Sequence, residues 1–154
     1  MLSINIKSTN DELMDDKYTC VGLNVSPPIS WSKGPNDTKS YAITIYDVDA
    51  KPSGFWHWIM FNIDKDITSI NENEIPTGSF SIKNDFGKLN YGGPCPPIGS
   101  ENHRYIISVY ALNNKVDKDK INTIEDVKNI LNNEKFEIKI IGKGHITKNY
   151  HRTI

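Results

Sequence analysis

Three apolar segments predict the central strands of a β-sheet. They span residues 40–47, 57–63 and 104–112 and are rich in β-branched and aromatic residues. The first two carry apolar side chains at both odd and even positions, as strands do when both of their faces are covered. Between the second and third segments, residues 64–78 are polar and are predicted to be irregular, with at most one helical turn.

The last third of the chain contains the clearest helical pattern, at residues 123–133. Its apolar residues share one helix face, because they follow the spacing i, i+3, i+6 and i+7: Ile124, Val127, Ile130 and Leu131. Thr123 stands three residues before Asp126, which resembles a capping box. Residues 135–141 alternate charged and apolar side chains, which predicts a half-exposed strand. Since strands and helices do not alternate, the pattern favours a mostly β protein over a doubly wound parallel sheet.

The composition narrows the class of protein. A chain of 154 residues is typical of one domain, here residues 1–154, because domains cluster near about 100–150 residues. The net charge of −1 and the isoelectric point of 6.4 argue against a nucleic-acid partner, since such domains usually have an isoelectric point above about 9. No segment approaches the roughly 18–20 apolar residues of a membrane span.

The first residues predict a cytoplasmic protein, and the two cysteines are interpreted on that basis. Residues 1–8 lack the charged and apolar regions of a signal peptide. The chain has two cysteines, Cys20 and Cys95, which are too few for a disulfide scaffold. Without an export signal, we therefore expect both to be reduced thiols in the cytoplasm.

Five side chains that can carry chemistry stand at the ends of the predicted strands. Asp47 and Asp49 end the first strand, His57 begins the second, and His103 and Tyr105 enter the third. In an extended chain, residues i and i+2 share a face. The two aspartates can therefore point one way, and so can His103 and Tyr105.

The same rule predicts that Trp56 and Trp58 point away from His57. If the three strand ends meet, two carboxylates, two imidazoles and a phenol converge in one pocket with indoles as its walls. The loop at residues 92–99, rich in glycine and proline, would then form the rim.

Such a pocket suits a small anion. Imidazole N–H and phenol O–H groups donate to phosphate oxygens, and the backbone amides of Gly92 and Gly93 are candidates for further donors. Because a carboxylate repels an anion, the aspartates need other roles. They can fix which imidazole nitrogen faces the ligand, or accept from a ligand ammonium or a protonated phosphate. The mixed signs favour a zwitterion or a phosphate monoester over a bare trianion.

Each of these residues also has a simpler interpretation. The aspartates can be turn residues that accept from nearby backbone N–H groups, His57 can be a packed histidine, and the tryptophans can belong to the core. Two histidines and two aspartates also compose a zinc ligand set, but no short His-x-x-x-His pair is present. The sequence contains no phosphate-binding or dinucleotide-binding glycine motif and no nucleophile elbow. We therefore expect no cofactor and no catalytic residue.

Several ordered blocks resemble the signature of the phosphatidylethanolamine-binding protein family, also called the Raf kinase inhibitor-like family. They read DVDAKP from residue 47, FWHWIMFNI from residue 55, YGGPCPP from residue 91 and HRY from residue 103, and residues 18–31 resemble the bacterial branch. The resemblance implies a large antiparallel sheet packed on a smaller one, with peripheral helices. It also implies an anion pocket formed here by Asp47, Asp49, Pro52, His57, Gly93, Pro94, His103 and Tyr105.

The resemblance implies a function as well. It favours non-catalytic binding of a phosphate-bearing small molecule or a phospholipid head group. The alternative is a protein-interaction module that inhibits a protease or a kinase, and a third hypothesis is a small hydrolase with His57 or His103 as its general base. The oligomeric state stays open, a homodimer included.

The first block departs from the family pattern, which usually reads Asp-Pro-Asp-Ala-Pro. Val48 replaces the first proline, and Lys51 is inserted before Pro52. Family members often have a cis peptide before this second proline. A cis Lys51–Pro52 bond is therefore an expectation that the structure can test.

Overall fold

The computed structural model describes residues 1–135 and 137–154. Within these ranges the chain forms nine strands, one α-helix and two short 3₁₀ turns at Asp16–Tyr18 and Lys118–Lys120. The strands and the helix, in chain order, are β1 (Leu2–Ser3), β2 (Ile6–Lys7), β3 (Ile29–Trp31), β4 (Ser40–Asp47), β5 (Phe55–Asp64), β6 (Ser69–Ile70), β7 (Phe80–Ser81), β8 (His103–Leu112), α1 (Ile124–Leu131) and β9 (Ile140–Tyr150).

The strands form a large sheet and a small one. The large sheet has the order β1-β9-β8-β4-β5-β7, and the small sheet has the order β2-β3-β6. All neighbouring strands are antiparallel except β1 and β9, which are parallel. The prediction of a mostly β protein with a large sheet on a smaller one is confirmed, and the parallel β1 makes the large sheet mixed.

The three predicted central strands are β4, β5 and β8, and both faces of β4 are covered. On one face, Tyr41 and Ile43 pack in the same core as Trp31 of the small sheet. On the other face, Ala42 packs in a second core with Val127 of the helix. The apolar character of both faces of β4 therefore follows from its place between the small sheet and α1.

The helix begins where the capping pattern places it. The Thr123 hydroxyl accepts from the Asp126 amide at 3.2 Å, and the Asp126 carboxylate accepts from the Thr123 amide at 3.1 Å. Such a cap stabilises a helix by about 1 kcal/mol. The helix ends at Leu131, two residues before the predicted end, and Asn133 adopts a left-handed conformation with φ 58°.

The predicted strand at residues 135–141 is wrong. The described residues from Lys135 to Lys139 are turn and irregular backbone, and β9 begins only at Ile140. Asparagine side chains pair with this segment in place of a neighbouring strand: the Asn133 side chain accepts from the Ile140 amide, and that of Asn113 accepts from the Lys139 amide. Phe136, part of the predicted strand, lies outside the described residues.

Candidate functional site

The ends of the three central strands border a cavity of about 620 Å³. Its position follows from strand register, because Asp47 at the end of β4 pairs with Phe55 at the start of β5 and with Tyr105 near the start of β8. The polar residues that line it are Asp47, Asp49, Lys51, His57, Ser100, Glu101, Asn102, His103 and Tyr105. The apolar residues that line it are Ala50, Phe55, Phe86, Cys95, Pro96 and Pro97.

Five of the eight residues assigned by the family resemblance line this cavity: Asp47, Asp49, His57, His103 and Tyr105. The other three, Pro52, Gly93 and Pro94, are not among its lining residues. Pro52 is exposed and follows a cis peptide bond, as expected. Gly93 and Pro94 are buried.

Asp47 orients His103. The Asp47 Oδ2 atom lies 2.7 Å from His103 Nδ1, and Oδ1 accepts from the backbone amides of Asp49 and Ala50 at 2.8 and 3.1 Å. Asp47 is 3% exposed. Because a carboxylate can only accept, the proton of His103 sits on Nδ1 and leaves Nε2 to face the cavity. Asp47 is thus both a turn residue and an imidazole partner, so two interpretations left open by the sequence both hold.

His57 is oriented in the same way by the backbone. Its Nδ1 donates to the Gly92 carbonyl at 2.7 Å, which leaves Nε2 without a hydrogen bond within residues 1–135 and 137–154. The ring packs between Phe55, Phe86 and Tyr105, with centroids 4.9, 5.3 and 5.2 Å away. This burial lowers the pKa of His57, and the Gly92 carbonyl and nearby carboxylates act in the opposite direction.

A bulge in β5 directs His57 into the cavity. Ile45 pairs with Trp58 and Tyr46 pairs with Trp56, so His57 is an extra residue in the ladder. The prediction that both tryptophans point away from His57 is wrong, because Trp58 packs in the same core as Tyr105. The expected indole walls are also wrong, since neither tryptophan lines the cavity. The bulge breaks the alternation on which both expectations rested.

Tyr105 supplies a phenol at the base of the cavity. The side chain is 1% exposed and belongs to the core between the two sheets. Burial and the neighbouring Asp47 carboxylate raise the pKa of Tyr105 far above its usual value. The phenol therefore keeps its proton over the physiological range.

Asp49 pairs with Arg104 at the rim. Arg104 donates to the two carboxylate oxygens through Nε at 3.0 Å and Nη2 at 2.8 Å, and its backbone amide adds a bond of 2.7 Å. The guanidinium bonds lower the pKa of Asp49 to about 2. The sequence offered no signal for this pair, because it depends on the register of β4 and β8. The negative charge of the Asp49 carboxylate is thus compensated by Arg104 in the protein without a ligand.

Replacement of Arg104 by methionine tests this pair through acid unfolding. The pKa of Asp49 is lowered on folding, so the pair stabilises the fold fully above the ordinary value of about 3.9. That stabilisation is lost as the pH falls through 2, the folded-state pKa. Because the Arg104 side chain is 58% exposed, we expect only a small loss of stability at neutral pH. Urea unfolding at several pH values measures it; a stability difference that does not shrink in acid contradicts the assignment.

The loop at residues 84–97 is held in place by side chains that the sequence did not single out. Asn84 donates to the His57 carbonyl at 3.0 Å and accepts from the amides of Phe86 and Lys88. The Gly92 amide donates to the His57 carbonyl at 3.2 Å, and the Gly93 amide donates to Asn24 at 2.8 Å. These two amides are therefore engaged within the protein and are not the ligand donors that the sequence suggested.

Cys20 and Cys95 form a disulfide, so the prediction of two reduced thiols is wrong. Hydrogen bonds bring the two segments together: the Tyr91 hydroxyl donates to the Tyr18 carbonyl at 2.5 Å, and the Cys20 amide donates to the Pro94 carbonyl at 3.1 Å. Disulfides persist in oxidising compartments. The disulfide therefore runs against the reduced thiols that a cytoplasmic location led us to expect.

The described part of the chain gives no further site of the kinds considered. It contains no group of three or more His, Cys, Asp or Glu side chains arranged to hold a metal ion. Within residues 1–135 and 137–154, no helix combines the length and apolar character that crossing a bilayer requires.

Comparison with known sequences gives one family. The model of the phosphatidylethanolamine-binding protein family matches residues 5–151. A UPF0098 protein of Methanothermobacter thermautotrophicus is 43% identical over 142 residues, which are 88% of this chain and 89% of that protein. The UPF0098 protein YbcL of Escherichia coli is 42% identical over 103 residues, which are 62% of this chain and 56% of YbcL.

Comparison with solved structures gives the same family and, at lower identity, a likeness of fold. The crystal structure of E. coli YbcL, described as a member of the mammalian PEBP family, superposes with a TM-score of 0.85 at 32% identity and covers 96% of this chain and 98% of that one. A carboxypeptidase Y inhibitor, crystallised with its cognate proteinase, superposes with a TM-score of 0.54 at 18% identity over 82% of this chain and 71% of that one. The second likeness concerns the fold alone.

Proposed function

Because the chain belongs to the phosphatidylethanolamine-binding protein family, we propose that its cavity binds a phosphate-bearing small molecule or head group without chemical turnover. One observation carries the proposal: two imidazoles, each with Nδ1 already paired, line one cavity. Each presents Nε2, which donates to an anion once the ring is protonated. Hydrogen bonds between ionised partners are roughly twice as strong as neutral ones.

Three features of the surroundings support an anion as the ligand of the two rings. The Asp47 carboxylate lies behind His103, 2.7 Å from Nδ1, and fixes the orientation of the ring. The phenol of Tyr105 retains its proton and adds a neutral donor group to the same lining. Phe55 and Phe86 exclude water from one side of His57, which strengthens any charged hydrogen bond formed there.

Binding without turnover is proposed because, in the cavity lining that the structure describes, no serine or cysteine is paired with a base. Catalysis by a serine requires its hydroxyl within hydrogen-bond reach of a histidine nitrogen. The Ser100 hydroxyl lies in the cavity wall, yet among the described residues it has no hydrogen-bond partner. The His103–Asp47 pair therefore serves recognition in this proposal rather than general base catalysis.

A sulfate titration followed by calorimetry tests the proposal. We expect a dissociation constant on the order of 1 mM, equivalent to about 4 kcal/mol. His57→Ala and His103→Ala should each weaken binding by about tenfold, or 1.4 kcal/mol. His145→Ala is the matched control, because His145 is exposed on β9 and does not line the cavity. Absence of sulfate binding, or equal affinity in all three variants, contradicts the proposal.

The pH dependence follows from the protonation of the rings. Burial lowers the pKa of His57, while the charges of Asp47 and Asp85 act against that effect. In the free protein His57 is therefore protonated only below its ordinary value of about 6.5. A bound anion favours the protonated ring, so sulfate affinity should rise as the pH falls. Sulfate does not titrate in this range, which separates the protein's protons from those of the ligand.

A second candidate is a protein-interaction module. Apolar side chains are exposed on the loop that borders the cavity: Phe86 is 43%, Leu89 54% and Ile98 63% exposed. Exposed apolar clusters are typical of protein-binding surfaces. A stoichiometric protein partner that binds His57→Ala and His103→Ala as well as wild type, but not a Leu89→Ser/Ile98→Ser variant, would support this function instead.

A further inference from the structure

Three carboxylates line the cavity, which poses a problem for anion binding when the imidazoles are neutral. Both Nδ1 atoms are already paired, so the neutral rings offer only acceptor nitrogens. Asp47, Asp49 and Glu101 add carboxylates to the lining. Arg104 compensates one of them, since its guanidinium is occupied by Asp49. A positive charge independent of the imidazoles must come from elsewhere.

Lys51 is placed to supply that charge. It lines the cavity on the turn after β4. The turn is fixed by Asp47, which accepts from the Ala50 amide, and by the Gly54 amide, which donates to the Ala50 carbonyl at 2.7 Å. Among residues 1–135 and 137–154, no side-chain hydrogen bond or ion pair involves the Lys51 ammonium. Its charge is therefore available to a ligand.

We propose that Lys51 determines specificity for a doubly charged phosphate, so that the cavity prefers a phosphate monoester to a phosphodiester. The inference rests on the proposed function. A monoester carries nearly two negative charges at neutral pH, whereas a diester carries one. The attraction to the Lys51 ammonium scales with ligand charge, and so does the repulsion from Glu101. Lys51 and Glu101 therefore shift the ratio of the association constants for monoester and diester, called the monoester-to-diester ratio, in opposite directions.

The experiment compares phosphoethanolamine with glycerophosphoethanolamine, which differ in esterification, by calorimetry at about pH 8, where unperturbed imidazoles are neutral. Lys51→Met should weaken monoester binding about fivefold to tenfold and diester binding only about twofold, as expected for a charge that acts on ligand charge. Lys51→Arg should restore the preference. Glu101→Gln should raise the monoester-to-diester ratio.

Lys115→Met is the matched control, because Lys115 is an exposed lysine beyond the opposite end of β8. Lys51→Met should unfold at nearly the same urea concentration as wild type, as exposed surface variants usually do, so a fold defect would not explain lost binding. Equal monoester-to-diester ratios in Lys51→Met and Lys115→Met overturn the inference. If wild type binds neither ligand nor sulfate, the proposed function itself fails.

Discussion

Loss of the Cys20–Cys95 disulfide is expected to lower the free energy of unfolding by about 2–4 kcal/mol, the typical range for a native disulfide. The bond joins residues 75 positions apart, so breaking it returns the freedom of a long loop to the unfolded chain. Urea unfolding of the oxidised protein, compared with the same protein in dithiothreitol, measures the difference. The double variant Cys20→Ser/Cys95→Ser should unfold like the reduced wild type and should not respond to dithiothreitol.

Reduction of the disulfide should affect sulfate binding in the cavity less than it affects the free energy of unfolding. Cys95 lines the cavity, but three hydrogen bonds outside the disulfide join residues 18–24 to residues 91–94. The wall therefore keeps its anchors in the reduced protein. We expect sulfate affinity to fall by no more than about threefold, or 0.7 kcal/mol. Equal urea midpoints for oxidised and reduced protein would show that the disulfide does not constrain the chain.

Replacement of Asp47 by alanine is expected to cause the second large loss in the free energy of unfolding. The variant loses the acceptor of two backbone amides and of His103 Nδ1, and Asp47 is almost fully buried. Since a buried donor without a partner costs about 1–3 kcal/mol, we expect a loss of about 3 kcal/mol in the free energy of unfolding. Urea unfolding measures it, with Asp37→Ala as a control at an exposed aspartate outside the cavity.

The isosteric variant Asp47→Asn separates stability from recognition. Its side-chain oxygen can still accept from the amides that Asp47 now pairs with, while its NH₂ group faces Nδ1 of His103. Two donors cannot pair, so the neutral ring should move its proton to Nε2. Sulfate binding by Asp47→Asn should therefore depend less on pH than wild-type binding. A variant with unchanged pH dependence would show that Asp47 does not set the position of the His103 proton.

The elements predicted correctly are those in which side-chain pattern and tertiary position agree. Strand β4 is apolar on both faces because it lies between two cores, and the helix follows from one apolar face and a local cap. Strand β9 was not predicted, since Gly142, Gly144 and the exposed Lys143 weaken its pattern. A Cβ at Gly144 would meet the backbone of Ile4. The glycine at position 144 of β9 is thus required by Ile4, a neighbour that is distant in sequence.

The candidate site also has features that the sequence predicts and features that it does not. The family blocks identified Asp47, His57 and His103 together, and strand register brings them to one cavity. The Asp49–Arg104 pair and the disulfide could not be predicted, because each depends on how distant segments approach one another. The β5 bulge was also missed, since the period-two rule assumes an unbroken ladder.

The bulge at His57 has a consequence for how this protein can diversify. An extra residue in a strand has no partner across the ladder, so its side chain is not a member of a cross-strand pair. Its carbonyl, which accepts from Asn84 and Gly92, serves the loop whatever side chain is present. A substitution at position 57 can therefore change which side chain lines the cavity, while the strand pairing that builds the sheet stays the same.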